Sequence, residues 1–301
     1  MSQSVLLEMW NTLKNEFSIE KLPLQLNRGD SIYESWVLPR WGLLLLRLLI
    51  STFCIIIIVV SVARWPEPRW LIYLTNWSYL LLTITMIGLT LVSIFHVFKR
   101  KQALYGNSPG AYEMKDTQIA INQMIDQIDQ IGDSESTMPL ERDDVALSLI
   151  WYEKIVLFLW VISANAGLLV TIEYWILVFR PPTSFMDISV HALNSVFILT
   201  ELFTANTSVR VLHWIYVLLF SIIYAAFTVI YWAAGGVNSR GEPFIYHILD
   251  YENGKPGSIA AVLICSLFIV APLIQIILYG FYRIKLLLNK KRNGDNNNVV
   301  T

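Results

Sequence analysis

Six long apolar stretches run through the chain, at residues 41–62, 70–98, 147–178, 187–204, 211–232 and 259–287. A helix needs about 20 mostly apolar residues to cross the hydrocarbon core of a bilayer. In that solvent every backbone N–H and C=O must find its partner inside the protein. Open sheets and irregular backbone are therefore disfavoured across these stretches. The expected fold is an all-α integral membrane protein, a six-transmembrane helix bundle. Hydrophobic residues make up 55% of the sequence and mean hydropathy is +0.53, well above an ordinary soluble domain. The fourth stretch is the most broken, because Asp187, His191, Asn194 and Glu201 interrupt it.

Three regions follow from this pattern. Residues 1–40 form an N-terminal segment, residues 41–288 the transmembrane domain with a long acidic loop at 99–146, and residues 289–301 an Asn- and Lys-rich tail expected to be disordered. Lys14, Lys21, Arg28 and Arg40 precede the first stretch, Lys99, Arg100, Lys101, Lys115 and Arg142 follow the second, and Arg283, Lys285, Lys290, Lys291 and Arg292 end the sixth. The opposite side holds only Arg64, Arg69, Arg180, Arg240 and Lys255. The positive-inside rule then puts both termini and the long loop in the cytoplasm, with the plasma membrane or the endoplasmic reticulum as the host. Leu6, Met9, Trp10, Leu13 and Phe17, and later Ile121, Met124, Ile125 and Ile128, recur at helical spacing. They read as interfacial helices or as caps on the protein's own core.

Several function classes fall away. A net charge of −1 and the lack of a basic stripe argue against nucleic acid. Both cysteines, Cys54 and Cys265, lie inside apolar stretches, so neither a metal site nor a disulfide framework is expected, and no cofactor is. No G-x-S-x-G elbow, H-E-x-x-H zinc helix or phosphate-binding loop occurs. No internal repeat supports a transporter. The remaining partners are membrane lipids.

Polar side chains inside a membrane cost free energy and commonly have a function. Counted from Arg69, Thr75 lies about six residues along the second stretch, roughly 9 Å at the helical rise. His191 lies at a similar depth in the fourth, entering from the same face. Asn76, Asn165, Glu173, Asp187, Asn194 and Tyr231 share that half of the bilayer, so polarity is expected to be concentrated at the outer end. A hydroxyl beside an imidazole, with an amide or hydroxyl for the oxyanion, is a sufficient set for ester cleavage. Each residue also has a structural role open to it. A membrane Thr bonds back to a carbonyl of its own helix, and a membrane His or Asn bonds a neighbouring helix.

Three segments carry a resemblance. Arg69-Trp70-Leu71-Ile72-Tyr73-Leu74-Thr75-Asn76-Trp77, Val190-His191-Ala192-Leu193-Asn194-Ser195-Val196 and Tyr231-Trp232-Ala233-Ala234-Gly235-Gly236 resemble the rolling stone family of animal multi-pass membrane proteins. More distantly, the chain is similar to the androgen-induced membrane hydrolases, which cleave fatty-acid esters with a Thr and a His. That likeness rests on the Arg69–Thr75 segment and on His191 preceding Phe197-Ile198-Leu199-Thr200-Glu201 by six residues. It implies Thr75 as nucleophile and His191 as base, with a fatty-acyl ester as substrate. Asn76, Asn194, Glu173 and Tyr231 are the residues expected to orient the pair or line the pocket. Two departures stand out: Ser78 takes the place of the hydrolases' asparagine, and the immediate neighbours of His191 differ. The rolling stone resemblance also implies an alternative, a non-enzymatic membrane protein acting in cell fusion or muscle development.

Overall fold

The computed structural model describes residues 14–27, 30–65, 68–105 and 149–299. Six helices are long and apolar enough to cross a membrane, at Arg40–Arg64, Leu74–Lys99, Trp151–Val178, Phe185–Thr204, Val211–Ala233 and Pro256–Arg292. The molecule is an all-α integral multi-pass membrane protein. The first span is α1 (Arg40–Arg64) and the second is α2 (Leu74–Tyr105). The third is α3 (Trp151–Glu173), which runs into a π-helical turn at Tyr174–Val178. The fourth is split into α4 (Phe185–His191) and α5 (Leu193–Thr204). The fifth enters through a 3-10 turn (Val211–His213) into α6 (Trp214–Ala233). The sixth joins α7 (Pro256–Cys265), a second π turn (Ser266–Val270) and α8 (Ala271–Val299).

The third span is the centre of the bundle. Its most apolar window is 67% buried, against 17% for the fifth. Helix α3 packs against α2, α5, α6 and α8. Close approach to α5 depends on Gly167, where an added Cβ would lie 2.6 Å from Ile198 Cδ1. The outward faces stay apolar, with Leu45, Leu49 and Ile56 on α1 and Ile222, Ile223 and Ile230 on α6 all exposed. Hydrocarbon is the solvent such a surface fits.

One end of the bundle gathers the N-terminal segment, the fourth-to-fifth connection and the end of α8. Strand β1 (Ser31–Ser35) pairs antiparallel with β2 (Ala205–Asn206). Trp36 Nε1 donates to the Phe203 carbonyl at 2.6 Å, and Tyr33 stacks on His96 of α2 with ring centroids 3.6 Å apart. This small strand pair was not anticipated from the sequence. Its cause is the partner: β2 offers two residues, too short to signal itself.

Three further expectations are corrected. Residues 70–73 do not belong to the second membrane helix, because Pro68–Ile72 winds as a 3-10 turn. The Trp70 carbonyl takes Asn76 Nδ2 at 2.6 Å, while the Leu74 N–H donates to the Tyr246 hydroxyl at 2.9 Å. The bond that would have continued an α-helix is thereby replaced. Residues 289–299, read as a disordered tail, continue α8, since each residue added to a formed helix gains a hydrogen bond. Polarity is not concentrated at the Thr75 end either. The opposite end buries Arg47, Glu153, Glu201, Arg210, Gln275 and Lys285, each hydrogen-bonded to another side chain or a backbone carbonyl. The interfacial stripes expected at 6–13 and 121–128 lie outside the described residues.

Candidate functional site

The site is built where α2 begins. The Tyr224 hydroxyl of α6 donates to the Ile72 carbonyl at 2.8 Å, and Tyr246 accepts from Leu74 N. Tyr246 also pairs with the Thr75 side chain. Asn76 and Trp77 bond back to the Trp70 and Leu71 carbonyls. The N-terminus of a helix leaves its first N–H groups without helical partners, and here a tyrosine from a distant loop supplies one. Burial pushes the Tyr246 phenol up to about 12, so it is neutral and able to donate at any physiological pH. Tyr246→Phe should lower stability by about 1–3 kcal/mol, the cost of leaving a buried donor unpaired. Thermal unfolding of the purified variant in detergent would register it, and an unchanged midpoint would refute the pinning role.

Fixed in this way, Thr75 faces a cavity of about 90 Å³ between the third, fifth and sixth spans. That is a narrow space beside the roughly 300–1,000 Å³ of ordinary small-ligand sites. The wall is largely apolar, with Ala166, Leu169, Val170, Phe220, Leu263 and Leu267 contributing. Polar groups enter at Thr75, Glu173, Tyr246 and Ser266. Both π turns border this space: one starts directly after Glu173, the other at Ser266. Turns of this kind recur at functional sites, because the extra residue re-aims side chains.

His191 sits at the break in the fourth span, where Ala192 leaves helical geometry (φ −123°, ψ −50°). Its ring lies flat on Tyr174, centroids 3.4 Å apart and planes 2° from parallel. Its carbonyl accepts from Trp175 Nε1 at 3.3 Å, and its Nδ1 is buried without a partner. Tyr174 lines the cavity and His191 does not. No hydrogen bond joins His191 to Thr75 in the described structure. Among the described residues, the imidazole is thus stacked on Tyr174 and is not bonded to the Thr75 hydroxyl.

The other residues singled out from the sequence divide in the same way. Glu173 lines the cavity. Asn76 closes the turn before α2. Asn194 ties the fourth span to the third: Nδ2 donates to the Gly167 carbonyl at 3.1 Å and Oδ1 accepts from Thr171. The Tyr231 hydroxyl donates to the Val237 carbonyl at 2.8 Å, and its ring leaves no room for a Cβ at Gly236. Tyr246 and Tyr174 were missed. Tyr246 comes from a polar loop that gives no sign of folding back, and Tyr174 from a continuous apolar run. Among the described residues no group of three or more His, Cys, Asp or Glu side chains is arranged to hold a metal ion.

A model of the family described as "Protein rolling stone" matches residues 144–294. That segment is half of the chain. This protein belongs to the rolling stone family. The chain is also similar to the Protein rolling stone of Drosophila melanogaster, 24% identical over 267 residues that cover 87% of this chain and 82% of the relative. No solved structure matches. The part matched by the rolling stone model includes Glu173, His191 and the three spans around the cavity, while Thr75 precedes it.

Proposed function

We propose that this rolling stone protein takes the acyl chain of a membrane lipid into the cavity and cleaves a fatty-acyl ester there. The observation that carries the reading is a narrow apolar cavity among the spans with a hydroxyl, Thr75, in its wall. In the proposed reaction Thr75 Oγ attacks the ester carbonyl and gives its proton to His191. The alcohol leaves with that proton, and water then releases the fatty acid and restores the threonine. The step requires Tyr174 to turn aside, since its ring covers His191. Asn76 and Asn194 enter only as supports, the first for the turn carrying Thr75 and the second for the fourth span. The protein is proposed to sit in the plasma membrane or the endoplasmic reticulum with its basic end, and so both termini, in the cytoplasm.

The test is turnover of a panel of lipid esters by the purified protein in detergent, beside Thr75→Ala and His191→Ala. Turnover in the parent is expected to fall at least a hundredfold in both variants, with unfolding midpoints unchanged, the usual scale for loss of a nucleophile or its base. A second reading, binding without cleavage, is favoured by one observation: Thr75 is already paired with Tyr246 and has no bond to His191. Lipid binding without turnover would establish it and would leave a non-enzymatic role, in cell fusion or muscle development, as the function.

A further inference from the structure

Most of the buried polar groups in the cavity wall have partners within the protein. Tyr224 donates to the Ile72 carbonyl. Thr228 bonds the Ala225 carbonyl and the Tyr251 hydroxyl. Tyr246 takes the Leu74 N–H and pairs with Thr75. Glu173 bonds the Ser266 hydroxyl across the gap between the third and sixth spans. Its other carboxyl oxygen, Oε1, is buried and has no partner. Among the described residues that line the cavity it is the one buried polar atom left so.

An unpaired oxygen in an apolar wall is costly, and such groups are ordinarily satisfied by protein, water or ligand. The fold has had a simple way to avoid the cost, since a leucine would suit this wall. We infer that Glu173 is the specificity residue of the cavity and accepts a hydrogen bond from a hydroxyl on the lipid head. The ligand is then a single-chain amphiphile with a free hydroxyl beside its ester, as in a monoacylglycerol. A free fatty-acid anion is disfavoured, because it would carry a charge out of water into an apolar wall. A hydroxyl is preferred over an ammonium head because it satisfies the oxygen without carrying a charge out of water. The inference rests on the lipid-binding reading above and names the lipid.

The experiment compares the affinities of monooleoylglycerol, methyl oleate, oleic acid and oleylamine for the full chain in detergent, in the parent, Glu173→Leu and Glu173→Gln. Methyl oleate keeps the chain and ester but has no donor. In the parent, monooleoylglycerol should bind about tenfold more tightly than methyl oleate, the effect of one hydrogen bond to a buried acceptor. Glu173→Leu should bring the two to parity while methyl oleate binds as before, which also shows that the variant is folded. Glu173→Gln retains an acceptor oxygen and should retain part of the preference. Equal binding of the two esters by the parent, or a preference that survives Glu173→Leu, overturns the assignment of Glu173 but leaves the cavity as a lipid site. Tighter binding of oleylamine than of monooleoylglycerol overturns the hydroxyl in favour of a cationic head. Failure of every lipid to bind the parent overturns the lipid-binding reading itself.

Discussion

Alanine at Arg47 or at Glu201 should each lower the stability of the folded protein by about 3–5 kcal/mol, the cost of stranding one member of a buried ion pair. The two side chains are 0% and 1% exposed and lie on α1 and α5. Arg47 Nε donates to Glu201 Oε2 at 3.1 Å, with a second bond from Nη2 to Oε1. Nη1 is held by Ser93 Oγ of α2 at 2.6 Å. A charge inside a membrane protein persists only when it is paired, and this fork joins three spans at once. The pair itself need not be a source of stability. Apolar side chains of similar volume commonly replace a buried ion pair at no net cost. Arg47→Met combined with Glu201→Leu should therefore unfold near the parent temperature, while each single alanine variant unfolds well below it. A double variant as weak as the singles would show instead that the directional bonds hold the spans in register.

Most of the bundle was legible because it depends on hydrophobic length, which is local and needs no partner. The edges of the spans came within a few residues, and the break in the fourth was foreshadowed by its interrupting polar residues. The site was legible only in part, for reasons that trace to particular residues. Thr75 could be marked as a polar residue near a membrane end. Its surroundings depend on Tyr246, about 170 residues away, and no pattern in the loop announces that contact. Glu173 could be marked as a charge in the outer half of the bilayer. Its unpaired oxygen depends on where Ser266 stops and on the two π turns, which follow from packing. His191 could be marked as a polar residue inside a membrane stretch, but the Tyr174 ring stacked on it is read only from coordinates. The polar cluster at the opposite end was misjudged for a related reason. Arg47, Glu201 and Lys285 look like isolated charges in separate stretches until the bundle closes around them.

Lys285→Met should loosen that end of the molecule selectively. The residue is 1% exposed; its ammonium donates to the Ala205 carbonyl at 2.8 Å and the Thr207 carbonyl at 3.1 Å, and lies 5.0 Å from the Tyr282 ring centroid. Those two carbonyls belong to β2 and the residue following it. The same stretch holds β1 through Ser35, whose hydroxyl donates to the Thr204 carbonyl at 2.5 Å. Methionine keeps the length of the stem and removes both charge-assisted bonds, each worth about 1.5–3 kcal/mol. It also strands two buried carbonyls. Hydrogen exchange should rise at residues 31–35 and 205–206, because the strand pair loses its support, while α2 and α3 keep their protection. Arg292→Ala is the matched control: its guanidinium also bonds a carbonyl, that of Trp36, but in an exposed position. Interactions of exposed charges contribute about 0–1 kcal/mol, so this change should leave exchange almost unaltered. Equal disturbance by both substitutions would mean that the end of the bundle is held by the course of α8 as a whole. Disturbance by Lys285→Met alone would assign the hold to one buried ammonium, fixing the strand pair at the end opposite the cavity.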